Sequence, residues 1–204
     1  ANSNFVKQRI QKFYRRDSTV IHPPVAVSEF AQARVDAPGD YFLAAGELGG
    51  YKRFDLVVDA FTQLGLPLVV IGDGEPKKDL QNRAGANVEF LGRVDFTELK
   101  RRFGECKALV FPGEEDFGIV PVEVMAVGRP VIAYGRGGAL DTVVDGQTGV
   151  LFEQQTVDSL IEAVSRFETV SFDDDAIHRH ASGFSGQVFK DGIRAVLSQN
   201  GIEV

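Results

Sequence analysis

The stretch Phe111-Pro112-Gly113-Glu114-Glu115-Asp116-Phe117-Gly118-Ile119-Val120-Pro121-Val122-Glu123-Val124-Met125-Ala126 decides the fold. Apolar residues 108–111 read as a strand, an acidic loop follows, and 120–127 read as a helix, with another apolar run at 130–134. Strand, helix and strand in that order form a βαβ unit, which requires a parallel sheet. Pro121 suits the first helical turn, where its missing N–H is no loss. Gly118 leaves room for a ligand beside the free N–H groups of Ile119 and Val120, and such a helix start attracts phosphate through its dipole. Glu123 falls in or just after that first turn, within reach of a polar ligand held there. The residues alone leave three readings open: a solvated acidic turn with Glu123 complementing the dipole, a glycosidase-like pair of carboxyls, or a phosphate-binding helix start.

Outward from this unit the same alternation continues. Apolar runs at 41–45, 66–71, 88–91 and 149–152 are separated by helical patterns at 54–64, 77–84, 97–103 and 140–144. Strands apolar along their whole length are covered on both faces. The fold class is therefore α/β, a Rossmann-like, doubly wound parallel sheet with helices on both faces. After residue 152 the pattern is all-helical, at 157–167, 174–181 and 187–197. Ligands of such sheets sit at the carboxyl ends of the strands, and three loops there are rich in glycine: Gly46-Glu47-Leu48-Gly49-Gly50-Tyr51-Lys52-Arg53, Gly72-Asp73-Gly74 and Gly135-Arg136-Gly137-Gly138. The second has Lys77 where a dinucleotide fingerprint needs its third glycine, and a plain tight turn explains it equally well.

Composition narrows the functional classes. The 204 residues carry a formal net charge of -7, which argues against a nucleic-acid partner. No run approaches the roughly 18 apolar residues of a membrane span. The single cysteine, Cys106, rules out an internal disulfide, fits a reducing cytoplasm and reads as buried packing. His22, His178 and His180 stand in none of the motifs and read as surface or locally hydrogen-bonded residues. No cluster has metal-ligand spacing, and Asp173-Asp174-Asp175 reads as the cap of the helix at 174–181. Residues 1–16 are basic but lack an apolar signal core. A helix bearing Phe5, Ile10, Phe13 and Tyr14 there runs into Val20-Ile21-His22-Pro23-Pro24-Val25, where the proline pair forces extended chain. A doubly wound domain rarely opens this way, so residues 1–30 read as the tail of something upstream.

Glu115, seven residues and Glu123, enclosing Phe117-Gly118 and followed by Gly128-Arg129-Pro130-Val131-Ile132-Ala133, resemble the signature of the retaining, GT-B-fold glycosyltransferases called glycosyl transferases group 1. Ile21-His22-Pro23-Pro24-Val25, Tyr51-Lys52-Arg53, Ile71-Gly72-Asp73-Gly74, Phe90-Leu91-Gly92-Arg93-Val94 and Asp145-Gly146-Gln147-Thr148-Gly149 fall in family order. The resemblance implies roles. Lys52 contacts the donor diphosphate, alongside Gly46, Arg53, Gly72 and Gly74. Phe117, Gly118, Ile119 and Val120 cradle it at the helix start. Glu123 takes the ribose hydroxyls, Glu115 the donor sugar, and Gly92, Arg93 and Val94 edge the base. Glu115 and Lys52 are the candidate catalytic pair. One departure stands out: Glu47 occupies a position where the family commonly has an arginine, so either it turns away and Arg53 or Arg136 compensates, or diphosphate binding is weakened.

The implied organisation is a linker and helix over 1–30, a nucleotide-sugar-binding domain over 31–183, and a closing helix and tail over 184–204. The implied activity is sugar transfer with retention, with no cofactor and no metal, from GDP-mannose or else UDP-glucose. Phe117-Gly118-Ile119-Val120-Pro121 with Tyr134-Gly135-Arg136-Gly137-Gly138 resembles mannosyltransferases of surface-polysaccharide synthesis. An N-terminal acceptor-binding domain is the expected partner, with a membrane-associated, lipid-linked acceptor and a cytoplasmic location, peripheral at the inner membrane. The alternatives are a non-catalytic nucleotide-binding module and a sugar-nucleotide epimerase of the same fold. Phe184, Val188, Phe189, Ile193, Val196 and Leu197 share one face of the last helix. Left uncovered, that face favours self-association.

Overall fold

Strand order settles where a ligand can sit. The structure, a computed structural model, describes residues 1–202. The strands are β1 (Phe42–Ala45), β2 (Leu68–Ile71), β3 (Val88–Gly92), β4 (Ala108–Phe111), β5 (Val131–Tyr134) and β6 (Gly149–Phe152). They form one parallel sheet in the order β3-β2-β1-β4-β5-β6. In this order the connections after β1 and β4 leave toward opposite sides, opening a crevice between those two strand ends.

The helices are, in chain order, α1 (Asn4–Tyr14), α2 (Val27–Phe30), α3 (Phe54–Leu64), α4 (Lys77–Arg83), α5 (Phe96–Glu105), α6 (Ile119–Ala126), α7 (Ala139–Thr142), α8 (Val157–Phe167), α9 (Asp174–Ser182) and α10 (Gly186–Gln199). Side chains alternate across each strand. Leu43, Val69, Leu109 and Val131 pack with Phe30, Phe103, Met125 and Ile177, so α2, α5, α6 and α9 cover one face. Phe42, Val70, Val110 and Ile132 pack with Phe61, Leu80 and Leu160, so α3, α4 and α8 cover the other. Asp95 caps α5 by accepting from the Glu98 N–H, and Asp173 caps α9 by accepting from Asp175 and Ala176.

Three boundaries differ from the sequence expectation for a physical reason. β2 and β5 start after Pro67 and Pro130, which have no N–H to give a ladder. The helix expected at 140–144 stops at Thr142, where Val143 is already extended (φ -107, ψ 126).

The two ends of the chain meet. Ser3 is buried and caps α1, Asn4 donates to the Asp141 carboxylate, and the Val25 N–H donates to the Phe184 carbonyl at 2.9 Å. α1 itself buries no side chain, and Phe13 and Tyr14 are 68% and 74% exposed. α10 likewise buries none: Phe184 ahead of it is covered, while Val188 and Ile193 face solvent. Among the described residues no helix is long and apolar enough to cross a membrane.

Arg129 ties the α6 face together. Its buried guanidinium donates to the Gly104 carbonyl at the end of α5, to the Val35 carbonyl before β1, and to Asp174 in α9. Removing it strands the buried Gly104 carbonyl and breaks the contacts to the Val35 carbonyl and the Asp174 carboxylate that join the three elements. Arg129→Met should therefore lower unfolding free energy by about 2–4 kcal/mol in a urea titration, with little change in m-value. A loss below about 0.5 kcal/mol, the range of ordinary surface substitutions, would show the three elements hold without it.

Candidate functional site

The crevice between the ends of β1 and β4 is built from backbone in close contact. Gly46 and Gly72 both have positive φ (147° and 143°), and a Cβ on Gly72 would fall 1.8 Å from the Gly46 carbonyl oxygen. Gly113 in the β4 loop leaves no room either, since its Cβ would lie 3.0 Å from the Lys52 Cα. The β1 loop therefore runs directly against the loops after β2 and β4.

Lys52 reaches this junction through a sharp local geometry. Gly50–Lys52 form one 3₁₀ turn, and Arg53 takes a left-handed conformation (φ 55°) before α3 begins. A non-glycine residue there is strained, and the Arg53 guanidinium is held by Asp55 through contacts of 3.0–3.3 Å. The result is that Lys52 Nζ stands 3.2 Å from Glu115 Oε1, on the opposite loop. That oxygen is shut off from solvent and accepts no hydrogen bond, so the ion pair alone compensates it. The β4 loop is pinned from behind, the Gly138 N–H donating to the Glu115 carbonyl at 2.8 Å and Gln155 donating to the Pro112 carbonyl at 2.8 Å.

α6 opens beside this pair. Gly118 is left-handed (φ 85°), and the helix start carries no side-chain cap, so its first N–H groups are uncommitted. Next to it lies a cavity of about 470 Å³, large enough for a nucleoside. Apolar walls come from Ala45, Ile71, Val94, Leu99, Phe103 and Val120, with Glu47, Asp73, Arg93 and Glu123 among the lining. Glu123 is half-buried there, and burial pushes its carboxyl up to about 7.

The structure thus brings Gly46, Gly72, Arg93, Val94, Val120 and Glu123 to one cavity, with Lys52, Glu115, Gly118 and Ile119 at the adjoining junction. Gly92 bends the chain there (φ 70°), Gly74 packs on the Leu48 carbonyl, and Phe117 is buried beneath the α6 start. Arg53 is not brought in, being committed to Asp55. Neither it nor Arg136, which lines a separate cavity with Asn4 and Tyr134, is placed to offset Glu47 at the crevice. Sequence reasoning missed Leu99 and Phe103. Their only signal was position, one turn apart on the α5 face turned toward the end of β3.

Comparison with known proteins gives a consistent picture. The family model described as glycosyl transferases group 1 matches residues 28–181. An uncharacterized glycosyltransferase, MJ1178 of Methanocaldococcus jannaschii, is 36% identical over 133 residues, covering 62% of this chain and 38% of that protein. A GDP-mannose-dependent monoacylated alpha-(1-6)-phosphatidylinositol monomannoside mannosyltransferase of Corynebacterium glutamicum is 32% identical over 131 residues, covering 59% of this chain and 33% of that one. The chain thus spans well under two thirds of either relative. Among solved structures, Anabaena Alr3699/HepE in complex with UDP and glucose superposes with a TM-score of 0.80 at 21% identity, over 97% of this chain and 62% of its own.

The Glu123 carboxyl makes a testable link between cavity and stability. Its folded value of about 7 lies above the ordinary 4.5, so between these pH values the folded chain holds a proton the unfolded chain has lost. This contribution is fully present below pH 4.5 and is lost as pH rises through 7. Thermal unfolding should therefore fall as pH rises from about 5 to about 8, and Glu123→Gln should flatten that fall. Parallel curves for the two proteins would mean Glu123 titrates normally.

Proposed function

Because the chain belongs to the glycosyl transferases group 1 family, we propose that it holds the nucleoside diphosphate sugar donor of a retaining sugar transfer, with the diphosphate at the junction of the β1 and β4 loops. The observation that carries this reading is the meeting of Lys52, Glu115 and the uncapped start of α6 beside an apolar cavity that ends at Glu123. The base lies between Val94, Leu99 and Phe103. Glu123 takes the ribose hydroxyls, as a half-buried carboxyl with no ion-pair partner would. Lys52 and the α6 N–H groups take the phosphate oxygens, and Glu115, relieved of Lys52, takes hydroxyls of the sugar.

The chemistry follows from where charge develops. As the bond from the anomeric carbon to the terminal phosphate oxygen breaks, negative charge gathers on the leaving diphosphate and positive charge on the sugar ring. Lys52 and the α6 start are fixed toward the first, and they stabilise it more in the transition state than in the bound donor. Glu115 faces the second. No protein carboxylate need attack, which leaves the acceptor hydroxyl to bond the anomeric carbon on the face the diphosphate leaves, its proton passing to the departing phosphate oxygen. GDP-mannose is the preferred donor, in line with the corynebacterial relative's printed name and with the mannosyltransferase-like loops, and UDP-glucose is second, in line with the ligands of the Anabaena protein.

Calorimetry with UDP, GDP and their nucleosides tests this directly. Lys52→Ala should weaken the diphosphates by about 1.5–3 kcal/mol and leave the nucleosides nearly unchanged, because the lost contact is charge-assisted and to phosphate. Glu123→Ala should weaken nucleoside and diphosphate alike. Equal losses for both ligand types in Lys52→Ala would place the lysine in packing, and no binding of either diphosphate to the parent chain would sink the reading.

A further inference from the structure

His22 lies in the segment Ile21-His22-Pro23-Pro24-Val25, where the resemblance gives it no role, yet its ring touches the loop that opens α6. Its imidazole stacks on Phe117 at a centroid distance of 5.4 Å and an interplanar angle of 26°. It also leans on Phe184 at 5.4 Å, and Phe117 and Phe184 are 5.8 Å apart, so the three rings close into one cluster. His22 Nδ1 lies 3.1 Å from the Asn2 carbonyl oxygen and 3.9 Å from Asp141 Oδ2. A carbonyl oxygen can only accept, so in this contact Nδ1 carries the hydrogen and donates to Asn2, with the Asp141 carboxylate nearby but beyond hydrogen-bond distance. Asp141 is itself held, accepting from the Asn4 N–H at 2.6 Å and the Asn4 side-chain amide at 3.1 Å.

Phe117 has no freedom on its other side. Gly138 packs so closely that a Cβ there would lie 2.2 Å from the Phe117 Cα. Phe117 is therefore clamped between the β5 loop and the His22 ring, and it directly precedes Gly118, whose left-handed turn aims the first N–H groups of α6. Any tilt of Phe117 passes straight into those N–H groups.

We propose that His22 is a positioning residue for the donor diphosphate: by stacking on Phe117 it fixes the α6 start against which the phosphates bind. The clamp reaches the site from the segment ahead of α2, and through Val25 and Phe184 it joins both ends of the described chain to the phosphate loop. This inference rests on the donor-site reading above. It predicts an effect weighted toward the phosphate end of the ligand, because the rings touch the α6 start, while the base cavity is walled mainly by β1, β2, β3 and α5 and meets α6 only at Val120 and Glu123.

The test uses whichever of UDP and GDP the parent chain binds more tightly, together with the matching nucleoside. His22→Ala should weaken the diphosphate about tenfold and the nucleoside less than about twofold, the size of one misaligned charge-assisted contact. His22→Phe, which restores a ring against Phe117 without the hydrogen bond, should recover most of the loss. Should His22→Ala not fold, His22→Gln keeps a donor toward Asn2 without the ring, and the same selective loss is expected. Equal losses for both ligands, an unchanged diphosphate affinity, or failure of His22→Phe to recover would each overturn the positioning role. A parent chain that binds neither diphosphate overturns the donor site with it, whereas normal binding that ignores His22 overturns this inference alone.

Discussion

Everything at the crevice depends on backbone lying against backbone. The ends of β1 and β4 diverge, and only residues without side chains let the loops close the gap: Gly72 against Gly46, Gly113 against Lys52, Gly138 against Phe117. With no Cβ in the way, N–H groups and two chosen side chains line the opening. Lys52 and Glu115 meet because their loops do. The left-handed Arg53 completes this arrangement, turning the chain from the 3₁₀ turn that carries Lys52 into α3.

The Lys52–Glu115 pair and Glu123 are two solutions to one electrostatic problem. Desolvating a charge is unfavourable unless a partner compensates. At the junction the partner is internal, Lys52 lying 3.2 Å from Glu115, and a phosphate bound there as proposed exchanges one anionic partner of Lys52 for another. In the cavity Arg93 forms no ion pair with Glu123, so burial instead raises the carboxyl's proton affinity. A group so placed is suited to neutral hydroxyls, which can both donate to it and accept from it.

Much of this was legible in the sequence because it is local. Continuous apolar runs, the helical patterns between them, and the glycines in the loops after β1, β2 and β5 all act over a few residues. The start of α6 was legible for the same reason: Gly118, Pro121 and Glu123 lie within one and a half turns. Contacts between distant segments were not. His22 lies between two prolines and an isoleucine that say nothing of Phe117, which is ninety-five positions away and reached only after the sheet has folded. Arg53 was misplaced by a short-range competitor, since Asp55 offers its guanidinium a bidentate partner two residues on. The Arg129 hub shows the same limit, for nothing near it in sequence marks Gly104, Val35 and Asp174 as its partners.

The acidic rim of the cavity also shapes how fast a ligand arrives. Glu47 and Asp73 line the cavity of a chain whose net charge is -7, with Arg93 as the cation among them, and the donor proposed above is a polyanion. At distances beyond the short reach of Lys52, the field repels it, so encounter is slowed where many phosphate-binding proteins accelerate it. Physiological salt, with a Debye length of about 8 Å, screens this far field but leaves contacts inside the crevice almost untouched. Association with the crevice therefore quickens as ionic strength rises from very low values, while dissociation, governed by the short contacts, changes little.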